Sequence, residues 1–182
     1  IFKKNSDKLK IIFLSRISPE KNLHIALKIL EKLKVRYIFD IYGPIGDEDY
    51  WIKCNNIIKK IDKNSINYKG PVNPNEVSKT FSKYHLYLFP TGGENYGYTI
   101  VESLLQGTPI LLSDKTPWNK LEDNGWGWNI PLSNINKFKL NIEKNYNKLI
   151  SIDKSRRLKI RNSFSKELEI DKLIKDYLNI FD

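Results

Sequence analysis

Two carboxylates flank a glycine-rich turn near the middle of the chain. Residues 91–102 read TGGENYGYTIVE, which places Glu94 in the turn and Glu102 one turn inside the apolar helix that follows. The glycines allow close backbone approach, and the free N–H groups at the start of the helix favour an anion such as phosphate. Carboxylates would repel a phosphate that they touched, so we expect them to accept hydrogen bonds from neighbouring sugar hydroxyls. The segment therefore favours a nucleotide-sugar ligand.

Two basic residues follow the first predicted strand. Arg16 and Lys21 lie five positions apart on one strand-to-helix connection, where a guanidinium fork and an ammonium can converge on a diphosphate. Alone, they could equally be two exposed cations among thirty-one. The carboxylates predicted at the same sheet edge favour the functional interpretation. In a reaction that broke the bond between sugar and diphosphate, the leaving group would gain negative charge, and these cations would stabilise the transition state in place of a metal ion.

Strand-like apolar runs alternate with helical stretches along the chain. This alternation predicts an α/β fold, a Rossmann-like open parallel sheet of about six strands with helices on both faces, plus C-terminal helices. Ligands of such sheets bind at the carboxyl ends of the strands, where Arg16, Gly43, Gly70 and Glu94 fall. Strands are predicted at residues 9–14, 37–42, 66–68, 86–89, 109–112 and 127–130, and helices at 23–33, 50–61, 75–81, 98–105 and 118–122.

Three regions are predicted along the chain. Residues 10–132 form the nucleotide-sugar-binding domain, residues 1–9 are the remnant of an interdomain linker, and residues 133–182 form a helical extension packed on the same domain. The extension is predicted to contain helices at 135–150, 154–163 and 166–180. The chain has no methionine and opens on Ile1, which we interpret as an excised piece of a longer protein.

The combined motifs resemble the C-terminal, donor-binding domain of the retaining GT-B glycosyltransferases of group 1, family four. That domain has an Arg and a Lys after its first strand, as in residues 16–21 (RISPEK), and a Glu-x7-Glu pattern with a Gly-aromatic-Gly character, as in residues 94–102. Gly107-Thr108-Pro109 follows as in the family. The resemblance covers about residues 10–132, with residues 91–93 (TGG) departing from the usual lead-in of small residues.

The resemblance implies a role for each of these side chains. Arg16 and Lys21 would hold the donor diphosphate, Glu94 would contact the donor sugar, and Glu102 would accept from the ribose hydroxyls. The donor would be a nucleoside-diphosphate sugar, with uridine or guanosine as the base, and neither cofactor nor metal is expected. The partner would be an N-terminal acceptor domain, without which the fragment should be inactive. Backbone N–H groups at Gly97, Tyr98 and Thr99 would complete the phosphate site. The loops at Gly43 and Val72 would border the base.

Other residues that could carry chemistry have simpler interpretations. Residues 47–49 (DED) could hold a divalent metal, but they stand where a helix begins, and the helix dipole favours acidic residues there. His24 and His85 have no carboxylate or cysteine at ligand spacing, which favours surface or packing roles. The tryptophans at 118, 126 and 128 could stack on a sugar, although residues 124–128 (NGWGW) are typical of a turn and edge packing.

The composition limits the location and the partners. A net charge of +10 comes from lysines spread along nearly every segment, which favours a solvated surface over a nucleic-acid site and leaves weak contact with an anionic membrane face open. One cysteine, Cys54, excludes an intrachain disulfide, and no signal peptide or membrane-spanning run occurs. We therefore expect a cytoplasmic protein, with peripheral contact at the inner membrane face as a further expectation.

Three other classes of protein are compatible with the predicted architecture or with the net charge. A nucleotide-sugar epimerase would need additional acid–base residues, and a phosphorylase would need a lysine-bound cofactor. A non-enzymatic basic module that binds polyanions would explain the charge but not the glutamates. Because the chain has no Walker loop, no Gly-x-Gly-x-x-Gly after its first strand and no Ser/His/Asp set, the hydrolase and dinucleotide classes are disfavoured.

Overall fold

One open parallel sheet organises the protein. The computed structural model describes residues 8–61 and 65–168. Within them, the strands are β1 (Leu9–Leu14), β2 (Tyr37–Tyr42), β3 (Ile66–Gly70), β4 (Leu86–Phe89), β5 (Ile110–Ser113) and β6 (Gly127–Ile130). Their order in the sheet is β3-β2-β1-β4-β5-β6, and every neighbouring pair is parallel. The predicted fold class is confirmed.

Helices cover the two faces of the sheet. Because β4 and β5 are covered on both faces, all their residues are buried and their sequences are continuous apolar runs. Helix α1 buries Leu23, Ala26, Leu27 and Leu30, which the 3.6-residue period places on one side. The described helices are α1 (Leu23–Glu31), α2 (Glu48–Ile58), α3 (Val77–Phe81), α4 (Tyr98–Leu105), α5 (Ile135–Ile150) and α6 (Lys154–Leu168), with 3-10 turns at Pro19–Lys21 and Pro74–Glu76.

The two C-terminal helices pack on the sheet domain. Helix α5 contacts α1 and β1, and α6 contacts α4. Phe138 and Phe164, one from each helix, are fully buried in the same core as the strands. The predicted domain boundaries stay predictions, and residues 1–7 of the predicted linker and 169–182 of the predicted extension lie outside the described residues.

The strand order reverses between β1 and β4. The chain runs outward from β1 through β2 to β3, then crosses to the other side of β1 to begin β4. Connections that leave β1 and β4 in opposite directions open a crevice at the carboxyl ends of these two strands, which is where open α/β sheets bind ligands. The β1 loop (residues 15–22) and the β4 loop (residues 90–97) border this crevice.

The helix predicted at 118–122 is wrong, because these residues form irregular structure and turns. The side chain of Asn129 in β6 forms hydrogen bonds with two backbone groups that a helix would use for its own hydrogen bonds. Its Oδ1 accepts from the Leu121 N–H at 3.4 Å, and its Nδ2 donates to the Trp118 carbonyl at 2.6 Å. A five-residue helix has little stability of its own, so these tertiary hydrogen bonds decide the local structure.

The break predicted between 163 and 166 is also wrong, because α6 continues without interruption to Leu168. Asn162 and Ser163 have low helix propensity, which disfavours a continuous helix on local grounds. In the structure the Ser163 hydroxyl accepts from Trp126 Nε1 at 3.1 Å, and Phe164 is fully buried beside it. Packing therefore holds the helix through this point. Most of the helix predicted at 166–180 lies outside the described residues.

Candidate functional site

The β1 and β4 loops are joined directly by hydrogen bonds. The Gly92 N–H donates to the carbonyl oxygen of Glu20 at 2.7 Å, and Thr91 Oγ1 lies 3.4 Å from the same oxygen. These contacts hold the two loops side by side at the crevice.

Lys21 and Glu94 form an ion pair across the crevice. Lys21 Nζ lies 2.7 Å from Glu94 Oε1, and the two side chains are only 19% and 13% exposed. Thr91 Oγ1 lies 3.1 Å from the same carboxylate oxygen. Partial burial reduces solvent screening, so this pair interacts more strongly than an ion pair on the open surface. One predicted cation and one predicted carboxylate thus meet.

Arg16 lies on the same loop with its side chain exposed. The β1 loop pairs with the loop after β2, because Ile17 bridges Ile45 and its N–H donates to the Pro44 carbonyl at 2.9 Å. A Cβ placed on Gly46 would come within 2.6 Å of Arg16 Cδ and 2.7 Å of Cγ. The aliphatic stem of Arg16 therefore crosses the space that the absent side chain leaves, and its guanidinium makes no ion pair within residues 8–61 and 65–168.

Both cations lie close to Glu20. The Ser18 hydroxyl donates to Glu20 Oε1 at 2.6 Å and is the main cause that lowers the pKa of this carboxyl. The charges of Lys21 and Arg16 lower it further by smaller amounts. The charges of Lys21 and Arg16 therefore both act on the Glu20 carboxylate.

The start of α4 presents free donors to the crevice. Gly97, which precedes the helix, has a φ of 79° in the left-handed region. No other residue in the described ranges accepts a hydrogen bond from the backbone N–H of Gly97, Tyr98 or Thr99. Free N–H groups and the positive end of the helix dipole favour an anion here.

Glu102 is partly buried one turn inside α4. Desolvation raises its pKa above the usual 4.5. The phenol of Tyr87 is fully buried. Burial raises its pKa, and the charges of Glu94 and Glu102 raise it further. The Tyr87 hydroxyl donates to the Leu14 carbonyl at 2.9 Å and lies 3.0 Å from Thr99 Oγ1. Tyr87 thus links the end of β1 to the start of α4.

The remaining predicted residues, Gly43 and Val72, follow β2 and β3. The Gly43 N–H donates to the Gly70 carbonyl at 3.0 Å, and a Cβ on Gly43 would lie 1.9 Å from the Ser15 carbonyl oxygen. The loop after β2 therefore approaches the β1 loop closely because position 43 has no side chain. Val72 follows β3, two strands from β1, and is partly buried against the core.

Asp47, His24 and His85 have structural partners. The Asp47 carboxylate caps α2 by accepting from the Tyr50 N–H at 2.8 Å. His24 Nδ1 lies 2.8 Å from the Tyr50 hydroxyl, and His85 Nδ1 accepts from the Lys10 N–H at 3.0 Å. Burial lowers the pKa of His85 to about 4. No group of three or more His, Cys, Asp or Glu side chains that could hold a metal occurs in the described part of the chain.

Two of the three tryptophans weighed as sugar platforms have clear packing roles. Trp126 is 3% exposed and packs edge-on against Phe164 at 5.0 Å. Trp118 Nε1 donates to the Tyr96 carbonyl at 2.6 Å, and the two rings lie 5.8 Å apart. Trp118 therefore braces the β4 loop.

Three residues that shape the site were not predicted. Thr91 contacts the Glu94 carboxylate, Gly46 gives room to the Arg16 stem, and Tyr87 ties β1 to α4. Thr91 offered a weak signal, since a hydroxyl directly after Pro90 at a strand end points into the crevice region. The other two roles depend on tertiary contacts.

None of the helices in the described ranges combines the length and the apolar character that a membrane crossing needs.

Comparison with known protein families agrees with the geometry. A family model described as "Glycosyl transferases group 1" matches residues 1–163. The GtfA subunit of the UDP-N-acetylglucosamine–peptide N-acetylglucosaminyltransferase of Streptococcus pneumoniae is 30% identical over 128 residues, which are 68% of this chain and 24% of that protein. The chain spans between 23% and 30% of the length of the curated relatives it matches.

Solved structures share the fold. TarM from S. aureus, in a complex that includes UDP, superposes with a TM-score of 0.79 at 21% identity and covers 99% of this chain and 36% of its own. Alr3699/HepE from Anabaena, in complex with UDP and glucose, superposes with a TM-score of 0.74 at 18% identity. The match covers 96% of this chain and 49% of the HepE chain. At these identities the likeness shows the fold.

Proposed function

The chain belongs to the group 1 glycosyl transferases, and from that premise we propose that it is the donor-binding half of a retaining glycosyltransferase. It would hold a nucleoside-diphosphate sugar whose sugar is transferred to an acceptor. One observation carries the proposal: the ion pair of Lys21 and Glu94 lies at the crevice where the strand order reverses, beside the free N–H groups that begin α4.

The diphosphate is proposed to lie between the β1 loop and the start of α4. Lys21 donates to Glu94 with one N–H, and an ammonium group has three donors. Two donors remain for phosphate oxygens, and the unpaired guanidinium of Arg16 adds a fork of further donors. These fixed cations would stabilise the charge that develops on the leaving diphosphate more than the charge of the ground state.

The two carboxylates are proposed to bind the sugars on either side of the diphosphate. Glu102 lies four residues after Tyr98, a rise of about 6 Å along the helix. A ribose attached to a phosphate at the start of α4 would therefore reach Glu102. Glu94 lies before the helix, on the far side of the phosphate position, where the donor sugar would follow. Gly43 and Val72 would border the base.

Uridine diphosphate is the first donor nucleotide to test. The streptococcal relative is a subunit of a UDP-N-acetylglucosamine–peptide N-acetylglucosaminyltransferase, and the solved TarM and HepE complexes contain UDP. We propose that no metal ion and no cofactor is needed, because the charges of Arg16 and Lys21 would stabilise the diphosphate as a bound cation would.

The acceptor is proposed to bind a part of the protein outside this chain. The chain spans 24% of the length of the GtfA relative and between 36% and 49% of the two solved chains. In a two-domain transferase the reaction would take place between the domains, so this chain alone would bind donor without transferring sugar. A cytoplasmic location, with weak contact at the inner membrane face and no nucleic-acid partner, belongs to the same proposal.

The test is a transfer assay on a longer protein that contains this chain. We expect Arg16→Ala and Lys21→Ala each to lower kcat by at least about a hundredfold, as loss of one oxyanion-type donor does. Lys53→Ala, an exposed lysine of α2, is the matched control and should retain full activity. A double variant of Arg16 and Lys21 with unchanged activity would contradict the proposal, and activity abolished by EDTA would contradict its metal-independent part.

A further inference from the structure

We propose that Thr91 is a positioning residue that aims the Glu94 carboxylate at the donor sugar, and thereby sets how much the sugar adds to nucleotide affinity. The inference rests on the proposed function, in which Glu94 contacts that sugar. Thr91 has no solvent exposure and follows β4 directly after Pro90. Its backbone is held from β5, because the Ser113 hydroxyl donates to the Thr91 carbonyl at 2.6 Å.

The Thr91 hydroxyl has one proton and three acceptors within reach. Glu94 Oε1 and the Gly93 carbonyl each lie 3.1 Å away, and the Glu20 carbonyl lies 3.4 Å away. An ionised carboxylate is a stronger acceptor than a peptide carbonyl, so the proton goes to Glu94. The hydroxyl oxygen in turn accepts from the Gly93 N–H at 3.3 Å.

Two donors thus hold the same oxygen of Glu94. Lys21 Nζ and Thr91 Oγ1 both contact Oε1, whereas Oε2 has no hydrogen bond to any residue in the described parts of the chain. Oε2 is therefore the oxygen presented to a ligand. A carboxylate held at one oxygen from two directions cannot rotate freely, which fixes where Oε2 points.

Thr91 and Lys21 differ in how far their side chains can move when a ligand binds. The lysine ammonium ends a flexible chain and would move toward a bound diphosphate, drawing Glu94 with it. The threonine hydroxyl is short, β-branched and buried, so it stays in place. Thr91 therefore keeps Glu94 on the sugar side when the diphosphate engages Lys21. Removing the hydroxyl should weaken binding of a nucleotide-sugar and leave binding of the nucleotide alone unchanged.

The experiment is calorimetric titration of the 182-residue chain with UDP, UDP-glucose and UDP-N-acetylglucosamine. Thr91→Val removes the hydroxyl at nearly constant volume, and Thr91→Ser is the matched control that keeps it. We expect Thr91→Val to lower the ratio of UDP-sugar affinity to UDP affinity by about tenfold, the size of a hydrogen bond to a charged group. UDP affinity should stay within about twofold, and Thr91→Ser should restore the ratio.

Each other outcome has a distinct meaning. An unchanged ratio in Thr91→Val, or an equal loss for UDP and UDP-sugar, would overturn the inference, as would a serine variant that behaves like valine. If Thr91→Val does not fold, Thr91→Ala takes its place with the same expected ratio. A wild-type chain that binds UDP but gains nothing from either sugar would overturn the inference and leave the nucleotide site standing. A wild-type chain that binds none of the three ligands would overturn the proposed uridine diphosphate donor, and the inference with it.

Discussion

Lys21 Nζ lies 2.7 Å from Glu94 Oε1, although the two residues are 73 positions apart in the chain. They meet because Lys21 follows β1 and Glu94 follows β4, and these strands are neighbours in the sheet. An ammonium and a carboxylate in contact at a ligand crevice have opposite effects on an anionic ligand. Their separate contributions can therefore be measured.

The Glu94→Gln variant should separate the two effects. It removes a negative charge beside the proposed diphosphate and releases Lys21, so UDP should bind about threefold more tightly, the size of a partly exposed ion pair. Titration calorimetry measures the change. Glu143→Gln is the matched control, because Glu143 pairs with Lys139 at 2.8 Å on α5, away from the crevice. Weaker UDP binding in Glu94→Gln would show that Glu94 does not oppose the diphosphate.

Gly46→Ala should disturb the site without disturbing the fold. The new Cβ would lie 2.6 Å from Arg16 Cδ, and a flexible side chain can move aside. We expect the free energy of unfolding to change by less than about 0.5 kcal/mol, while UDP binds as weakly as it does to Arg16→Ala. Urea unfolding and calorimetry measure the two quantities. In the Arg16→Ala background the Gly46 change should have no further effect on binding, and additive losses would refute this coupling.

Gly97→Ala should cost stability as well as binding. Position 97 has a φ of 79°, which costs an alanine about 1–2 kcal/mol. The Cβ would also lie 2.6 Å from Cδ1 of the fully buried Ile100. We expect a loss of at least about 1 kcal/mol in urea unfolding. Gly93→Ala is the control in the same loop, because its Cβ meets nothing closer than 3.9 Å. Equal stability of the two variants would argue against this backbone requirement.

Glu102 should make stability depend on pH in a defined direction. Desolvation raises its pKa in the folded state above the usual 4.5, so the folded chain binds the proton more readily than the unfolded chain. The resulting stability is present below about pH 4.5 and is lost as pH rises through the folded pKa. Glu102→Gln, which stays neutral, should therefore raise Tm relative to wild type at pH 7.

Thermal unfolding at pH 7 and at pH 4 measures this difference. The advantage of Glu102→Gln should shrink or vanish at the lower pH, because the wild-type carboxyl is then neutral too. Glu122→Gln, at an exposed position in the turn before β6, is the matched control. A variant of Glu102 that is less stable than wild type at pH 7 would mean that its charge is stabilised in the folded protein.

Much of the fold could be predicted from the sequence, for physical reasons. β1, β2, β4 and α4 have the predicted bounds because each is a continuous or periodic apolar run between turn residues. The 118–122 segment was predicted wrongly because its structure depends on the side chain of Asn129, which belongs to β6. α6 was divided wrongly because the burial of Phe164 outweighs local propensity.

The site, like the fold, could be predicted from the sequence only in part. Lys21 and Glu94 could be brought together from sequence, because topology places the ends of β1 and β4 side by side. The position of the Arg16 side chain over Gly46 could not be predicted, since it depends on the pairing of Ile17 with Ile45 in loops that have no periodic sequence pattern. The direction of the Thr91 hydroxyl likewise depends on acceptors from two loops.

A crystal structure of the 182-residue chain with bound UDP would test the central claim most directly. We expect the diphosphate within hydrogen-bond distance of Lys21, Arg16 and the N–H groups of Tyr98 and Thr99, with the ribose hydroxyls on Glu102. UDP bound elsewhere, or with its diphosphate remote from both Lys21 and the start of α4, would contradict the claim that these residues form one donor site.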